Sequence, residues 1–235
     1  MVAVPNDAET GRPLRDLASL VESVQSEAWP GAEALAKQLR HRLARNIDGA
    51  KSFVVGGGSA TSGNRRDFIH KVVQWVEPRS ACLEGAAGSW LVEANGPNMH
   101  SVAEKVIASI MQRRCAVTLL VIRDAHQADS AALQALEPML SGEAGEMAHH
   151  EVIVLFDVVT SSVDPDDCLS EALQHSQLSV KRGAELQSEA STQSFDEERQ
   201  RLHFICAQQQ LQHWVSENVW KRKGLVGRIT MWIPI

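Results

Sequence analysis

The sequence lacks the charge and the apolar segments that would point directly to a nucleic acid or a membrane. It carries 23 Lys and Arg against 29 Asp and Glu, a net charge of -6, so bulk electrostatics give it no affinity for nucleic acid. It has no run of about 18 apolar residues, and its first twenty residues have neither the charged nor the apolar part of a signal peptide. We therefore expect a soluble protein, with no nucleic-acid partner and with membrane attachment not encoded in this chain.

The sequence also lacks the paired cysteines of a zinc site. Cys82, Cys115, Cys168 and Cys206 are scattered with no C-x-x-C spacing, so we expect no metal. A disulfide could follow any of three pairings, and the spacing does not choose among them. Buried free thiols are the expected state.

Composition and periodicity predict one α/β domain. With 44% hydrophobic residues, the chain is long enough for a single domain over 14–235, after a loose N-terminus over 1–13. Apolar spacing predicts helices over 14–25, 32–47, 65–75, 98–113, 129–140 and 195–215. Between them lie four short β-branched runs, SFVVG, SWLVEA, AVTLLVI and EVIVLFDVV, and the chain ends in an apolar strand or tail. This alternation predicts a three-layer domain with a mainly parallel central sheet, interrupted by a polar insertion around 176–194.

The first of these strands leads into a glycine-rich turn that lacks the lysine of a phosphate-binding loop. In a G-x-x-x-x-G-K-S/T loop, backbone N–H groups cradle the phosphates, the lysine reaches the β and γ oxygens, and the hydroxyl holds Mg²⁺. Gly56 and Gly57 precede the turn here, and Gly58 and Gly63 have the motif's spacing. Asn64 stands at the lysine position and Arg65 at the hydroxyl position. The turn should lie at the carboxyl edge of the sheet, with the shape of a nucleotide site but not its chemistry.

Two further strand ends carry the wrong charges for ATP. In P-loop ATPases a second strand ends in Asp-Glu, which hold Mg²⁺ and position water, whereas the strand AVTLLVI ends in Arg123 and Asp124. Asp157, near the end of EVIVLFDVV, would face the γ-phosphate and repel it unless a metal intervened. We expect no bound nucleotide cofactor.

Each of these residues also has a simpler interpretation. The turn could be a flexible connection that binds nothing. Arg123 could pair with a neighbouring acid at the sheet edge. Arg228, close to Lys221, Arg222 and Lys223, could belong to a solvated basic turn.

At residue level, two segments carry a family resemblance. VTLLVIRDAHQADSAALQALEPML looks like the second strand and following helix of the torsin family of AAA+ ATPases, and GLVGRITMWIPI resembles the element that closes the large domain of torsins and of their activators. These activators are the luminal domains of lamina-associated polypeptide 1-like and luminal-domain-like proteins. In element order the resemblance spans roughly Trp29 to Ile235.

The details resemble the activator more than the ATPase. Torsins keep the lysine and both acids and continue into a small helical domain, whereas activators are AAA+-like domains without nucleotide binding or that small domain. The resemblance implies a non-catalytic cofactor in the endoplasmic reticulum lumen or perinuclear space, which binds an ATP-bound torsin-type ATPase. It also implies that Arg228 is an arginine finger supplied in trans, a role for which a guanidinium suits developing phosphate charge. The activators have a transmembrane anchor that this chain does not show, and the polar insertion has no family counterpart.

Two alternatives belong to other classes. One is a divergent P-loop ATPase that uses Arg65 or Arg66 for phosphate and Asp124 for water. The other is a structural pseudo-ATPase subunit that activates nothing.

Overall fold

Five parallel strands form the sheet that organises the molecule. The computed structural model describes Glu33, Lys37 and residues 51–80, 82, 90–99, 115, 117–134, 136–141, 151–161, 191–220 and 223–235. The strands are β1 (Lys51–Gly57), β2 (Leu91–Asn95), β3 (Val117–Arg123), β4 (Glu151–Val159) and β5 (Met231–Pro234). Their order across the sheet is β2-β3-β4-β1-β5, and every neighbouring pair is parallel. The predicted parallel sheet is confirmed.

The helices of the described residues follow the predicted pattern with shifted ends. They are α1 (Ser62–Val76), α2 (Ser130–Gln134), α3 (Glu137–Ser141), α4 (Ser191–Asn218) and α5 (Lys223–Arg228). The single helix predicted over 129–140 is in fact two, because Pro138 in the first turn of α3 has no N–H to donate to a carbonyl of α2. The helix predicted from Phe195 already begins at Ser191, inside the predicted insertion.

Helices cover both faces of the sheet, as a three-layer α/β domain requires. Successive residues of the strands alternate between two buried clusters, so Val54 belongs to one and Val55 to the other. One cluster contains α1 through Phe68, Ile69 and Val72. The other contains α2, α3 and the end of α4, through Leu133, Leu136, Met139, Leu211 and Val215. No separate helical domain is evident in the part of the chain that the structure describes.

The register brings four strand ends to one edge. Gly57 of β1 pairs with Val159 of β4, and Asn95 of β2 pairs with Arg123 of β3. The glycine-rich turn therefore lies at the carboxyl edge of the sheet, as predicted.

The cysteine prediction was wrong. Cys82 and Cys115 form a disulfide across an isolated antiparallel bridge, with their Cα atoms 3.9 Å apart. Cys206 is also disulfide-bonded, and no free cysteine is found among the described residues. The path of the chain, which the spacing of the cysteines does not reveal, brings Cys82 and Cys115 together.

Several predictions lie outside the described residues: the loose N-terminus, most of the helices over 14–25, 32–47 and 98–113, and the insertion up to residue 190. Glu33 and Lys37, from the second of these helices, are helical. None of the helices that the structure describes has an apolar stretch long enough to span a membrane.

Candidate functional site

The glycine-rich turn closes on itself between β1 and α1. After Gly58, residues Ser59–Thr61 form a short 3-10 turn, and α1 begins at Ser62. Both the backbone N–H and the hydroxyl of Thr61 donate to the Gly58 carbonyl oxygen, at 3.2 and 3.0 Å. Ser59 and Ala60 are exposed at the tip. The turn is therefore held by its own hydrogen bonds.

Arg65 fills the inner side of this turn. One turn into α1, its side chain folds back toward the end of β1, and the residue is only 4% exposed. Its Nη1 donates to the carbonyl oxygens of Gly57, at 3.1 Å, and Gly58, at 2.6 Å. Thr61 Oγ1 lies 3.4 Å from the same nitrogen. The two carbonyls thus point at a cation, whereas a phosphate loop points N–H groups at an anion.

Asp157 supplies the opposite charge. Its Oδ1 accepts from Arg65 Nε at 3.0 Å, and the two side chains are 13% and 5% exposed. Charge-assisted hydrogen bonds of this kind are stronger than neutral ones. The carboxylate and the two carbonyls line the inner side of the turn with hydrogen-bond acceptors that suit a cation. Sequence analysis assigned both residues to positions beside a phosphate, but the structure pairs them with each other.

The glycines required by packing are not the two that match the phosphate motif. A Cβ on Gly57 would overlap the backbone oxygen of Ile235 and the hydroxyl of Thr61, and one on Gly56 would overlap Leu211. Gly58 and Gly63 have open space where a Cβ would lie, and Gly58 has an ordinary φ of -65°. The motif spacing therefore coincides with a turn that does not depend on glycine at those two positions.

The neighbouring strand ends extend the ion pair into a chain of alternating charges. Arg123 Nη1 lies 3.8 Å from Asp157 Oδ2, and its Nη2 lies 3.4 Å from Glu93 Oε1 on the edge strand β2. Arg123 is 31% exposed and Glu93 54%, so these contacts are weak and largely solvated. The interpretation of Arg123 as the partner of an acid at the sheet edge is confirmed.

Asp124, Asn64 and Arg66 take no part in this arrangement. Asp124 is exposed and has φ 50° and ψ 42°, the only positive φ of a non-glycine residue among those described. Its carbonyl oxygen leaves no room for a side chain on Gly96. Asn64 and Arg66, in the first turns of α1, are exposed. Among the described residues, no hydrogen bond or ion pair joins Asp124, Asn64 or Arg66 to the Arg65–Asp157 pair.

Sequence reasoning missed two residues that complete this edge. The Nδ1 atom of His126 accepts from the Val159 N–H at 3.4 Å, beyond the end of β3. Thr160, which is 3% exposed, donates its N–H to the Gly57 carbonyl oxygen at 3.0 Å, while its hydroxyl finds no hydrogen-bond partner among the residues that the structure describes. Neither residue belongs to a recognisable motif, because each of these hydrogen bonds joins residues that are far apart in sequence.

Arg228 lies at the opposite edge of the sheet. Its carbonyl oxygen accepts from the hydroxyl of Ser52, near the amino end of β1, at 3.0 Å. The Ser52 backbone N–H donates to Thr230 Oγ1, and the Thr230 N–H donates to Ser52 Oγ, both at 3.0 Å. Ser52 is fully buried and the Arg228 residue is exposed. The backbone of Arg228 is thus held by Ser52 in a residue that is itself exposed. Ser52 and Thr230 carried no signal in the sequence, because their pairing spans 178 residues.

Among the described residues, no group of three or more His, Cys, Asp or Glu side chains could hold a metal ion.

Comparisons with known proteins give distant structural similarities only. No family model matches the chain, and no curated protein matches it. The Hsp104-ADP complex of S. cerevisiae aligns with 93% of this chain at 13% identity and a TM-score of 0.48. A DNA polymerase III gamma subunit-related protein from Thermotoga maritima aligns with 91% at 13% identity and a TM-score of 0.34. The alignments cover 35% of the Hsp104 chain and 69% of the Thermotoga chain. At these scores, neither the fold nor the activity of those proteins is carried over to this chain.

Proposed function

We propose that this chain is a nucleotide-free AAA+-like domain that docks on a torsin-type AAA+ ATPase in its ATP-bound state and stimulates hydrolysis by supplying Arg228. The chain itself is then a regulator and not an enzyme. The observation that carries the proposal is the Arg65 guanidinium inside the glycine-rich turn, paired with Asp157. A domain whose phosphate position is filled by its own side chain needs a neighbour's nucleotide to take part in ATP hydrolysis.

The sheet order also supports an AAA+-like architecture. In the order β2-β3-β4-β1-β5, β4 separates the strand of the glycine-rich turn from the strand that ends in Arg123 and Asp124. Both strand ends nevertheless reach the same edge, as the phosphate and metal positions of a P-loop ATPase do.

The position of Arg228 supports action in trans. Ser52 holds its backbone at the amino end of β1, while the glycine-rich turn follows Gly57 at the carboxyl end. Five residues of extended strand separate them, roughly 16 Å at about 3.3 Å per residue. Arg228 is therefore remote from its own chain's turn, and a phosphate that it reaches would be on another subunit. A guanidinium at a neighbour's γ-phosphate would neutralise charge that develops in the transition state.

The disulfide supports the proposed compartment. Structural disulfides persist in oxidising environments, which include the lumen of the endoplasmic reticulum and the perinuclear space continuous with it. The Cys82–Cys115 bridge is of this kind. The localisation can be tested by asking whether the bridge forms in the native protein, using mass spectrometry under non-reducing conditions.

The decisive experiment compares two exposed arginines. With a torsin-type ATPase from the same source, we expect Arg228→Ala to lower stimulated hydrolysis by a factor on the order of 10³ to 10⁵ while the complex still forms. Arg66→Ala, at the opposite edge, is the matched control and should stimulate fully. Undiminished stimulation by Arg228→Ala would exclude the finger role and favour a structural pseudo-ATPase subunit.

Calorimetry separates this proposal from the divergent ATPase. We expect no heat of binding when Mg·ATP is titrated into the isolated chain. Micromolar affinity would favour an enzyme that uses Arg65 or Arg66 for phosphate, because an empty or occluded turn gives no such affinity.

A further inference from the structure

We propose that the glycine-rich turn is a guanidinium-binding site, occupied in cis by Arg65, and that it would accept a free alkylguanidinium in place of that side chain. This site belongs to the proposed function and rests on it, because the proposed function leaves the turn without a nucleotide. Its ligand class is opposite in charge to phosphate.

The acceptors around Arg65 bind two of the three nitrogens of its guanidinium. Nε donates to Asp157 Oδ1 at 3.0 Å, and Nη1 donates to the carbonyl oxygens of Gly57 and Gly58 at 3.1 and 2.6 Å. These acceptors come from β1, the turn and β4, three segments that the sheet holds in fixed register. The rigid guanidinium plane holds both donor nitrogens at fixed positions, whereas the compact ammonium of lysine has a single nitrogen.

The turn is built to keep these oxygens facing inward. The Thr61 N–H and hydroxyl both bond to the Gly58 carbonyl, and the Thr160 N–H bonds to the Gly57 carbonyl. Turning either carbonyl outward to present N–H groups would break these bonds. The inward-facing oxygens are therefore a property of the turn as well as a response to Arg65.

A small cation could enter from solvent once the side chain is shortened. Ser59 and Ala60 are exposed, Gly58 is half-buried, and Gly58 has open space where a side chain would begin. Arg65 itself is buried, so its truncation would leave a gap lined by the same oxygens beside the Asp157 carboxylate. N-ethylguanidinium is the fragment that truncation to alanine removes.

The test is chemical rescue of Arg65→Ala. We expect this variant to unfold at a lower temperature than the parent chain, and N-ethylguanidinium to raise its unfolding temperature along a saturating curve. At ten times the dissociation constant, the equilibrium constant for unfolding should fall roughly tenfold. Ethylammonium should give no such increase, and neither cation should stabilise the parent chain, whose site is filled. If the variant is unfolded in buffer, circular dichroism should show ethylguanidinium restoring its structure.

Three outcomes would overturn the inference. One is equal stabilisation by ethylammonium, and another is no saturable effect of ethylguanidinium in either assay. The third is stabilisation of Arg65→Ala by Mg·ATP but not by ethylguanidinium, which would make the turn a phosphate site that Arg65 blocks. A second variant, Arg65→Lys, should lower the unfolding temperature by at least half as much as Arg65→Ala does. An Arg65→Lys variant as stable as the parent chain would also contradict the guanidinium site. These measurements use the isolated chain, so their result is independent of the stimulation assay. Rescue of Arg65→Ala can be absent while Arg228 still stimulates a partner, and it can be present while Arg228 does not.

Discussion

The two ends of β1 each hold an arginine, and they use it in opposite ways. At the carboxyl end, the guanidinium of Arg65 is buried against Asp157 and two carbonyl oxygens, while at the amino end Ser52 fixes the backbone of Arg228 and the residue is exposed. The contacts of Arg65 with Asp157 and the two carbonyl oxygens are made within the chain and stabilise its fold. The arrangement at the amino end fixes the backbone of a residue that is exposed. The difference teaches that a turn with the glycine spacing of a phosphate loop can be held by a buried ion pair between residues of its own chain.

The largest effect on stability should come from removing the charge of Asp157. Asp157→Asn leaves the buried Arg65 guanidinium without its counter-charge, which should lower the free energy of unfolding by roughly 3 to 5 kcal/mol. Glu93→Gln is the control, because Glu93 is half-exposed and its contact with Arg123 is weak, so it should cost less than about 1 kcal/mol. Urea unfolding measures the free energy of unfolding of both variants. Equal decreases would mean that the buried Arg65–Asp157 pair contributes no more stability than the solvated Arg123–Glu93 pair.

A smaller effect should separate Gly57 from Gly58. Gly57→Ala forces a methyl group against the backbone oxygen of Ile235 and should destabilise the chain by about 1 to 3 kcal/mol. Gly58→Ala has open space and an ordinary φ, so it should be neutral or stabilise by up to about 1 kcal/mol. Thermal unfolding of the two variants gives the comparison. If Gly58→Ala were the more damaging, the turn would depend on the glycine of the phosphate motif after all.

The smallest effect should appear at the amino end of β1. Ser52→Ala removes the donor to the Arg228 carbonyl and the acceptor of the Thr230 N–H, at a cost of about 1 to 2 kcal/mol. Ser59→Ala, at the exposed tip of the turn, should change little. Both can be read from urea midpoints. A Ser52 variant as stable as the Ser59 variant would mean that the backbone of Arg228 is fixed by other contacts.

The sheet could be predicted because its cause is local. The runs SFVVG, AVTLLVI and EVIVLFDVV are apolar on both faces, and only strands buried between helices satisfy such runs. The position of the glycine-rich turn at the carboxyl edge followed from the parallel direction alone. The break at Pro138 was missed because apolar periodicity continues through it, although the proline itself was a usable signal.

The residues of the candidate site could be predicted from the sequence, but the contact between Arg65 and Asp157 could not. The absence of the loop lysine and the charges of Arg65, Arg123 and Asp157 were visible in the sequence. Arg123 was also expected to pair with an acid, but Arg65 and Asp157 were compared only with a missing phosphate or metal. The contact between Arg65 and Asp157 spans 92 residues and depends on β1 lying next to β4. The disulfide and the Ser52–Thr230 contact likewise required the path of the chain. An arginine in the helix that follows one strand and an acid near the end of another were a sequence signal that could have suggested the ion pair.

The Cys82–Cys115 bond also restrains the border of the sheet. These cysteines are 33 positions apart, and the short strand β2 lies between them, so this border strand belongs to a covalently closed ring. A strand in a closed ring cannot be peeled away and exchanged with the same strand of another molecule unless the whole ring moves with it. The bond therefore protects the molecule against swapped assembly at the border where Glu93 contacts Arg123.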